Sequence, residues 1–333
     1  MKNRFSINEL STLAILVIMV LMGACAHKDD CPNYRLTPSR TITRLSDSIF
    51  LSGQVSCLDC SKKGIYLSDY NEGLFLINSD GQVIKHIAQK GRGFGEIGAC
   101  GHFYVTESGD ICVYDESEKS FDFYVDECWK TSIKSEQDYV LSSSTRFFSR
   151  CDSVWHSITH NEKTMAILSA GQALKQGKLV DGLDDIRRPT ASERHVLKAE
   201  EGIILVGLGL PVVERYDDKG KRLSTYDLRN VPKLRAIYDA KKTDDPKSYF
   251  VVVADAYYSN HKLYLLTASD ENDMYSCNTI YVLEDKDGCF ELECSYTLSG
   301  NIYSTFCITE DNLCFAFNCI DSALEMYLLP INQ

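Results

Sequence analysis

Short apolar runs separated by turn residues dominate the chain, and long amphipathic helical patterns are scarce. The clearest unit places apolar runs at residues 64–68, 73–77 and 82–87 around a turn that contains Asp80 and Gly81. An Asp-Gly pair supplies the positive φ that a tight hairpin turn needs. This pattern predicts antiparallel β-strands joined by hairpins.

The same hairpin recurs along the chain, with further copies at residues 112–124, 212–223 and 280–292. The repeats are roughly 40 to 60 residues apart, which is typical of propeller blades built from four strands each. We therefore predict an all-β fold, a β-propeller of six four-stranded blades (give or take one) over residues 40–333. The strands assigned to the inner position of each blade begin near Ile65, Ile111, Met165, Ile203, Leu263 and Leu313.

A propeller must join its two ends to close the ring. We expect an early strand at residues 41–45 or 49–51 to pair with the last blade, near residues 313–329. Two segments interrupt the β pattern. Residues 170–194 are assigned to a loop or short helix, and residues 230–247 to a short helix over 233–242 that ends before Pro246. Each segment is either part of a ligand site or an ordinary surface excursion.

The N-terminus has the pattern of a secretory signal peptide: Lys2 and Arg4, an apolar run over residues 13–21, then small residues before Cys25. The stretch 21–25 resembles the lipobox of bacterial lipoproteins, with Met22 where Leu is usual. The resemblance implies a signal peptide at residues 1–24, lipidation of Cys25, and a lipidated tether and linker at residues 25–39. The alternatives are an ordinary cleaved signal or an uncleaved anchor, for which the run is short against the roughly 20 apolar residues of a spanning helix.

Lys28, Asp29 and Asp30 follow this cysteine. A lysine before two acidic residues resembles the surface-export signal of lipoproteins from gut-dwelling Gram-negative bacteria. The resemblance implies an outer-membrane lipoprotein exposed at the cell surface, with the periplasmic face as the alternative.

The chain has 333 residues, is 44% hydrophobic and carries a formal net charge of −12. That length and composition support a large core in one or two domains. An acidic chain binds nucleic acid or anionic lipid headgroups poorly, because both depend on Lys and Arg. We therefore predict no nucleic-acid partner, and a membrane partner only through the lipid anchor.

One glycine-rich segment carries a more specific resemblance; it consists of Gly91, Arg92, Gly93, Phe94, Gly95 and Glu96. It lacks the Gly-Lys-Ser/Thr ending of a phosphate-binding loop. It resembles the G-x-G-P-G-E-F segment that links blades in NHL-like propellers, with Phe94 at the usual Pro and Ile97 at the usual Phe. Together with the lipobox and the length, it makes the chain similar to TolB-like six-bladed propeller lipoproteins. That resemblance implies a fold and leaves function open.

Other candidate constellations are weaker. Cys57 and Cys60 have C-x-x-C spacing without the rest of a zinc or thioredoxin-like motif, so a local or cross-strand disulfide remains open. His156 and His160 lie too far apart along a strand to chelate a metal together. The acidic turns at Asp80, Asp217, Asp218 and 285–287 complete no EF-hand loop. We predict no metal site and no cofactor.

The neighbouring Tyr257 and Tyr258 suit either a sugar platform or packing. No catalytic spacing stands out. We therefore predict a non-catalytic binding or scaffold module of the cell envelope, whose ligand is an unknown protein, peptide or glycan. Its contact face would combine the mouth of the central channel with the two irregular segments. The alternatives are a propeller enzyme of the metal-dependent lactonase or lyase type, and a structural subunit of an envelope assembly.

Overall fold

The chain forms a ring of six β-sheets, seen in a computed structural model that describes residues 31–46, 49–135, 140–141, 145–159, 162–169, 172–180, 193–241, 251–269, 275–286 and 289–330. The prediction of an all-β, six-bladed β-propeller is confirmed. Two strands precede the first blade, β1 (Asn33–Arg35) and β2 (Arg40–Ile42). β1 belongs to the segment that the sequence analysis assigned to the tether.

Within each blade, neighbouring strands are antiparallel and follow one another in the chain. Blade 1 contains β3 (Val55–Ser61), β4 (Gly64–Asp69), β5 (Gly73–Ile77) and β6 (Val83–Gln89). Blade 2 contains β7 (Cys100–Val105), β8 (Ile111–Asp115), β9 (Ser120–Val125) and β10 (Cys128–Lys134). Blade 3 contains β12 (Phe148–Arg150), β13 (Ser153–Thr159), β14 (Met165–Ser169) and β15 (Gln172–Gln176), and β11 (Val140–Leu141) also pairs with β13.

The second half of the ring repeats this arrangement. Blade 4 contains β16 (Arg194–Lys198), β17 (Ile203–Gly207), β18 (Val212–Tyr216) and β19 (Arg222–Asp227). Blade 5 contains β20 (Asp255–Ser259), β21 (Lys262–Thr267), β22 (Thr279–Lys286) and β23 (Cys289–Thr297). Blade 6 contains β24 (Tyr303–Ile308), β25 (Leu313–Asn318) and β26 (Ala323–Leu328).

The N-terminal strands close the ring. β2 is the outer strand of blade 6, where Ile42 lies opposite Leu324 and Arg40 opposite Met326. This confirms the predicted pairing of an early strand with the last blade. β1 adds a fifth, parallel strand to the outer edge of blade 5, with Tyr34 opposite Tyr296. Residues 33–42 are therefore bonded to two adjacent blades.

The first strand of each blade lines the central channel, and each of these inner strands lies beside the inner strand of the next blade. The predicted inner strands are wrong by one position or more. Ile65, Ile111, Ile203, Leu263 and Leu313 lie in second strands, and Met165 lies in the third strand of its blade. A second strand packs against both neighbouring blades and so is apolar at almost every position, which gives the strongest hydrophobic signal.

Packing between blades follows from strand alternation. Ile65 and Leu67 pack toward blade 6, whereas Tyr66 between them packs toward blade 2. Likewise Leu263 packs toward blade 4 and Tyr264 toward blade 6. Each interface between adjacent blades therefore has its own apolar cluster. Burial at these interfaces, and not within a single central core, holds the ring together.

In three blades an Asp or Asn side chain caps the turn between the second and third strands. Asp115 accepts hydrogen bonds from the backbone N–H groups of Gly98, Ser117 and Glu118 at 2.8 to 3.2 Å. Asp69 does the same in blade 1, and Asn318 caps the corresponding turn in blade 6. An Asx side chain that satisfies turn N–H groups fixes the entry into the third strand.

Between blades 4 and 5 the chain forms a short 3-10 helix (Leu228–Asn230) and helix α1 (Pro232–Lys241). The predicted helix in this segment is confirmed. Pro232 starts α1, where a missing N–H costs nothing. Leu234 and Ile237 are fully buried and pack against Val252 and Val253. The other irregular segment was assigned wrongly in part, because Gln172–Gln176 form the outer strand of blade 3; residues 170–171 and 181–192 lie outside the described residues.

Candidate functional site: a polar channel below an aromatic cavity

Every blade brings one buried polar residue toward the channel, from its inner strand or, in blade 3, from just before that strand. None of these six residues was singled out from the sequence. The only signal available there was an isolated polar residue in an apolar run, recurring about once per blade. The six residues are Asp59, His102, Arg146, His195, Asp255 and Thr305.

Arg146, just before β12, is the centre of this ring of polar side chains. Its Nε and Nη2 donate to the two carboxylate oxygens of Asp255 at 2.6 and 2.7 Å. Nη2 also donates to the carbonyl oxygens of Leu58 at 3.1 Å and Phe306 at 2.6 Å. These partners belong to blades 5, 1 and 6, so one side chain from blade 3 connects four blades.

Asp255 completes the pair. It also accepts hydrogen bonds from the Thr305 hydroxyl at 2.8 Å and the Phe306 N–H at 3.0 Å. Burial alone would raise the pKa of Asp255, but the charge and hydrogen bonds of Arg146 hold that pKa below its ordinary value. The two side chains therefore stay ionised as a neutral buried pair.

Two histidines lie beside this pair and are uncharged. Burial lowers the pKa of His195, and it lowers the pKa of His102 to about 3. His195 accepts from the Arg146 N–H at Nδ1 and donates from Nε2 to the Val253 carbonyl at 3.2 Å. Nδ1 of His102 is buried and has no hydrogen-bond partner among the described residues.

A cavity of about 940 Å³ lies above these six polar side chains. Its rim comes from the turns that join first to second strands and third to fourth strands, such as 61–64 and 198–200, and we call this end of the propeller the upper face. Aromatic rings of Tyr104, Phe148 and Tyr257 line the wall. Phe148 stacks on Trp155 at 4.9 Å and meets the edge of Tyr104 at 6.2 Å between ring centroids. The wall is therefore held in place by packing from behind.

Asp59 lies at the floor of this cavity and is 5% exposed. Its carboxylate accepts from the N–H groups of Val105 at 2.9 Å and Cys60 at 2.8 Å, and from the Tyr257 hydroxyl at 3.3 Å. Burial raises the pKa of Asp59 to about 6, against the lowering effect of Arg146 and these hydrogen bonds. A carboxyl group that titrates near neutral pH in a concave site is a functional-site candidate.

The rim carries both signs of charge. Lys62, Lys63 and Lys198 lie 3.7 to 3.9 Å from carboxylates of Glu310, Glu127 and Glu107 respectively. These pairs are solvent-exposed and long, so each contributes little to stability. They can rearrange when a ligand enters.

The C-x-x-C pair does not form a disulfide. Positions three apart on a strand point to opposite faces, and accordingly Cys57 packs toward blade 2 while Cys60 packs toward blade 6. The Cys60 thiol lies 3.4 Å from the Tyr257 hydroxyl and 3.3 Å from the carbonyl oxygen of Ile308. Burial raises the pKa of Cys57 to about 12, so its thiol is protonated and inert.

The other sequence candidates take structural places. His156 lies buried in β13 and stacks on Phe121, whereas His160 is outside the described residues. Asp217 binds the N–H groups of its own turn, and Asp285 accepts from Arg215 and Tyr258. Within the ranges given above, no three His, Cys, Asp or Glu side chains lie close enough together to hold a metal ion. Tyr258 lines the cavity beside Tyr257.

The glycine-rich segment connects β6 of blade 1 to β7 of blade 2. The Glu96 carboxylate accepts from the Gly93 N–H at 2.6 Å. The Ile97 N–H donates to the Gln89 carbonyl, and the Ile97 carbonyl accepts from the Gly91 N–H. Phe94 is 86% exposed and lies with its ring 4.0 Å from that of Trp129. A Cβ at Gly91 would lie 1.9 Å from a Glu96 carboxylate oxygen, so a larger residue there would displace the Glu96 side chain.

The predicted contact face divides between the two ends of the propeller. The described residues of these segments, 177–180 after β15 and 228–241 around α1, directly follow an outer strand, which places them at the end opposite the upper face. No described residue of either irregular segment lines the cavity. Cys25 and the predicted export signal Lys28, Asp29 and Asp30 lie outside the described residues.

No family model and no curated protein matches the chain. Solved structures share its fold. A member of the duf4221 family from Bacteroides vulgatus is 10% identical with a TM-score of 0.54, over 90% of this chain and 98% of that one. A protein from Bacteroides fragilis described as exported is 11% identical with a TM-score of 0.52, over 85% and 87%. The extracellular domain of a hybrid two-component system from Bacteroides thetaiotaomicron is 8% identical with a TM-score of 0.51, over 88% of this chain and 41% of that chain.

At these identities the likeness shows the propeller fold alone. The narrower resemblance to TolB-like and NHL-like propellers stays a prediction. In the part of the chain that the structure describes, no helix is both long enough and apolar enough to cross a bilayer.

Proposed function

We propose that the protein is a non-catalytic binding module of the cell envelope, and that the cavity at the upper face is its ligand site. One observation carries the proposal: a cavity with packed aromatic walls and a buried, hydrogen-bonded carboxyl group at its floor. Concave sites with apolar walls and a few placed polar groups are the usual form of small-molecule sites. A volume of about 940 Å³ accommodates a small ligand or part of a peptide or glycan.

A ligand screen tests the binding role. The full-length chain in an uncharged detergent is heated with glycans, peptides and small organic ions. A ligand at 100 times its dissociation constant adds about 2.7 kcal/mol to the free energy of unfolding. We expect at least one hit whose effect disappears in Tyr104→Ala and persists in Phe94→Ala, because Phe94 lies in a loop at the opposite end. Hits that ignore Tyr104 would contradict the assignment of the site.

The proposed location is the outer membrane, facing outward, with attachment through acylated Cys25 and the export signal Lys28, Asp29 and Asp30. The exported and extracellular solved structures that share the fold accord with this location. Two or more acyl chains anchor a protein firmly, so Cys25→Ala should move the protein from the membrane to the soluble fraction. Continued labelling of Cys25→Ala by a fatty-acid analogue, or full protection of the domain from protease added to whole cells, would contradict these assignments.

An enzyme is the second candidate, and a specific arrangement favours it. Asp59, with its raised pKa, is bonded to the Tyr257 hydroxyl, which lies 3.4 Å from the Cys60 thiol. Such a set could exchange protons with a bound substrate. Turnover of any screened compound that is lost in Asp59→Asn would replace the binding role with this one.

A further inference from the structure

The charges at the floor of the cavity do not balance. Arg146 and Asp255 neutralise one another through two hydrogen bonds. Asp59 has no such cation; the donors that it accepts from are two backbone N–H groups and one hydroxyl. The neighbouring histidines are neutral. Ionised Asp59 therefore leaves one uncompensated negative charge at the bottom of the cavity.

The walls around this charge are the faces and edges of aromatic rings. Tyr104 and Phe148 line the same cavity as Asp59. An aromatic face attracts cations, and the site already contains one such contact, since the guanidinium of Arg146 lies 5.2 Å from the centroid of the Tyr257 ring.

The entrance does not repel a cation. Each of the three rim lysines faces a carboxylate, and Glu200 and Asp311 add further negative charge to the lining. An anionic ligand could pair with the lysines at the rim but would meet Asp59 at the floor. The sign of the floor therefore favours a positively charged group in the deepest position.

We propose that the cavity binds an organic ammonium group, whose charge pairs with Asp59 and whose carbon atoms pack against Tyr104 and Phe148. This inference rests on the proposed binding function and names its ligand class. The ammonium group supplies the counter-charge that the chain lacks at this point, and the rings exclude water from the pair.

Binding of this kind is coupled to protonation of Asp59. Burial raises the pKa of Asp59 to about 6, and a bound cation would lower that pKa again. Affinity should then fall about tenfold for each pH unit below 6 and level off above it. The charged and titratable groups around Asp59 are Arg146, Asp255, Tyr66, Tyr104, Tyr257 and the thiols of Cys57, Cys60 and Cys307.

Matched pairs of probes test the ligand class. Choline is compared with its neutral isostere 3,3-dimethyl-1-butanol, and benzylamine with benzyl alcohol, by calorimetry on the full-length chain in an uncharged detergent at pH 5, 6 and 7.5. At least one ammonium probe should bind tenfold or more tightly than its neutral partner. Asp59→Asn should abolish this preference, whereas Asp311→Asn at the exposed rim should keep it. Thermal unfolding verifies that each variant is folded, and the pH dependence of the unmutated chain gives a second measurement that needs no variant.

Each of the other possible outcomes contradicts either the ligand class, the role of Asp59 or the binding function itself. If only neutral or anionic compounds bind, and their binding depends on Tyr104, the ammonium assignment is wrong and the binding function stands. If ammonium probes bind Asp59→Asn as well as the unmutated chain, or bind without pH dependence, Asp59 is not their partner and the inference fails. If neither these probes nor the wider screen bind, both the inference and the proposed function fail.

Discussion

Among the residues that the structure describes, two arginines are buried, and they are held in different ways. Arg146 lies at the channel, and its side chain bonds to groups of blades 5, 6 and 1. Arg194 starts β16, and its described side-chain partners, Glu214 and the carbonyl of Glu193, belong to its own blade or the connection into it. Glu214 has further donors in Arg222 and the Tyr216 hydroxyl.

The difference separates two uses of a buried ion pair. The Arg146–Asp255 pair joins blades that are far apart in sequence, and no other cation is described on Asp255. The Arg194–Glu214 pair holds one sheet together, and Glu214 keeps two donors if Arg194 is lost. Removing one member of a buried pair is costly because it leaves an uncompensated charge. The cost should therefore be larger, and more widely spread, at the channel.

The largest expected effect is that of Arg146→Met. It leaves Asp255 buried without its cation and leaves the carbonyl oxygens of Leu58 and Phe306 without this donor. We expect a loss of about 3–5 kcal/mol in the free energy of unfolding, measured by urea denaturation. Arg150→Met is the control in the same blade, because its pair with Asp218 is exposed and should cost little. Equal losses of unfolding free energy in the two variants would contradict a special role of Arg146 at the channel.

A smaller effect is expected for Arg194→Met. The loss should be about 2–3 kcal/mol, below that of a fully broken buried pair, because Arg222 and Tyr216 still bond to Glu214. Hydrogen exchange should rise mainly in residues 194–198 and 203–216. Faster exchange in every blade would contradict the view that this pair acts within one sheet.

The smallest effect concerns Asp59, the carboxyl group beside Arg146 that has no ion pair in the described contacts. Its folded pKa of about 6 lies above the unfolded value, so the native state binds the extra proton between these two pKa values. This group therefore costs the protein stability as the pH rises from 4 to 6. The free energy of unfolding of Asp59→Asn minus that of the unmutated chain should increase by about 2 kcal/mol between pH 4 and pH 7. A constant difference would mean that the pKa of Asp59 is not raised.

The elements that the sequence predicted best are those buried on both sides. β4, β8, β17 and β21 are apolar at nearly every position, and the hairpins between the third and fourth strands of the blades carry turn residues such as those at 78–81. The inner strands were missed because polar residues such as Asp59 and Asp255 interrupt them. Periodicity reports how a strand is buried and not where it lies in the sheet.

The candidate site could not be predicted from the sequence, for a related reason. Asp59, Tyr104 and Tyr257 come from three blades, and nothing local marks them as neighbours. Arg146 precedes a strand of only three residues, so no pattern indicates that it faces the channel. Residues from different blades become neighbours only when the whole propeller closes. The order of residues along the chain does not show which of them will meet. The charge balance and the cysteine spacing, by contrast, could be interpreted without a structure.

The pairing of β2 with β26 also sets an order of assembly. A chain is made from its N-terminus, so Arg40–Ile42 leave the ribosome long before Ala323–Leu328 exist. Until then the first strands have no partner, and their own unpaired backbone groups stay open to other chains. Closure of the ring through this pair therefore has to wait until the last strand has been made, however early the other blades form.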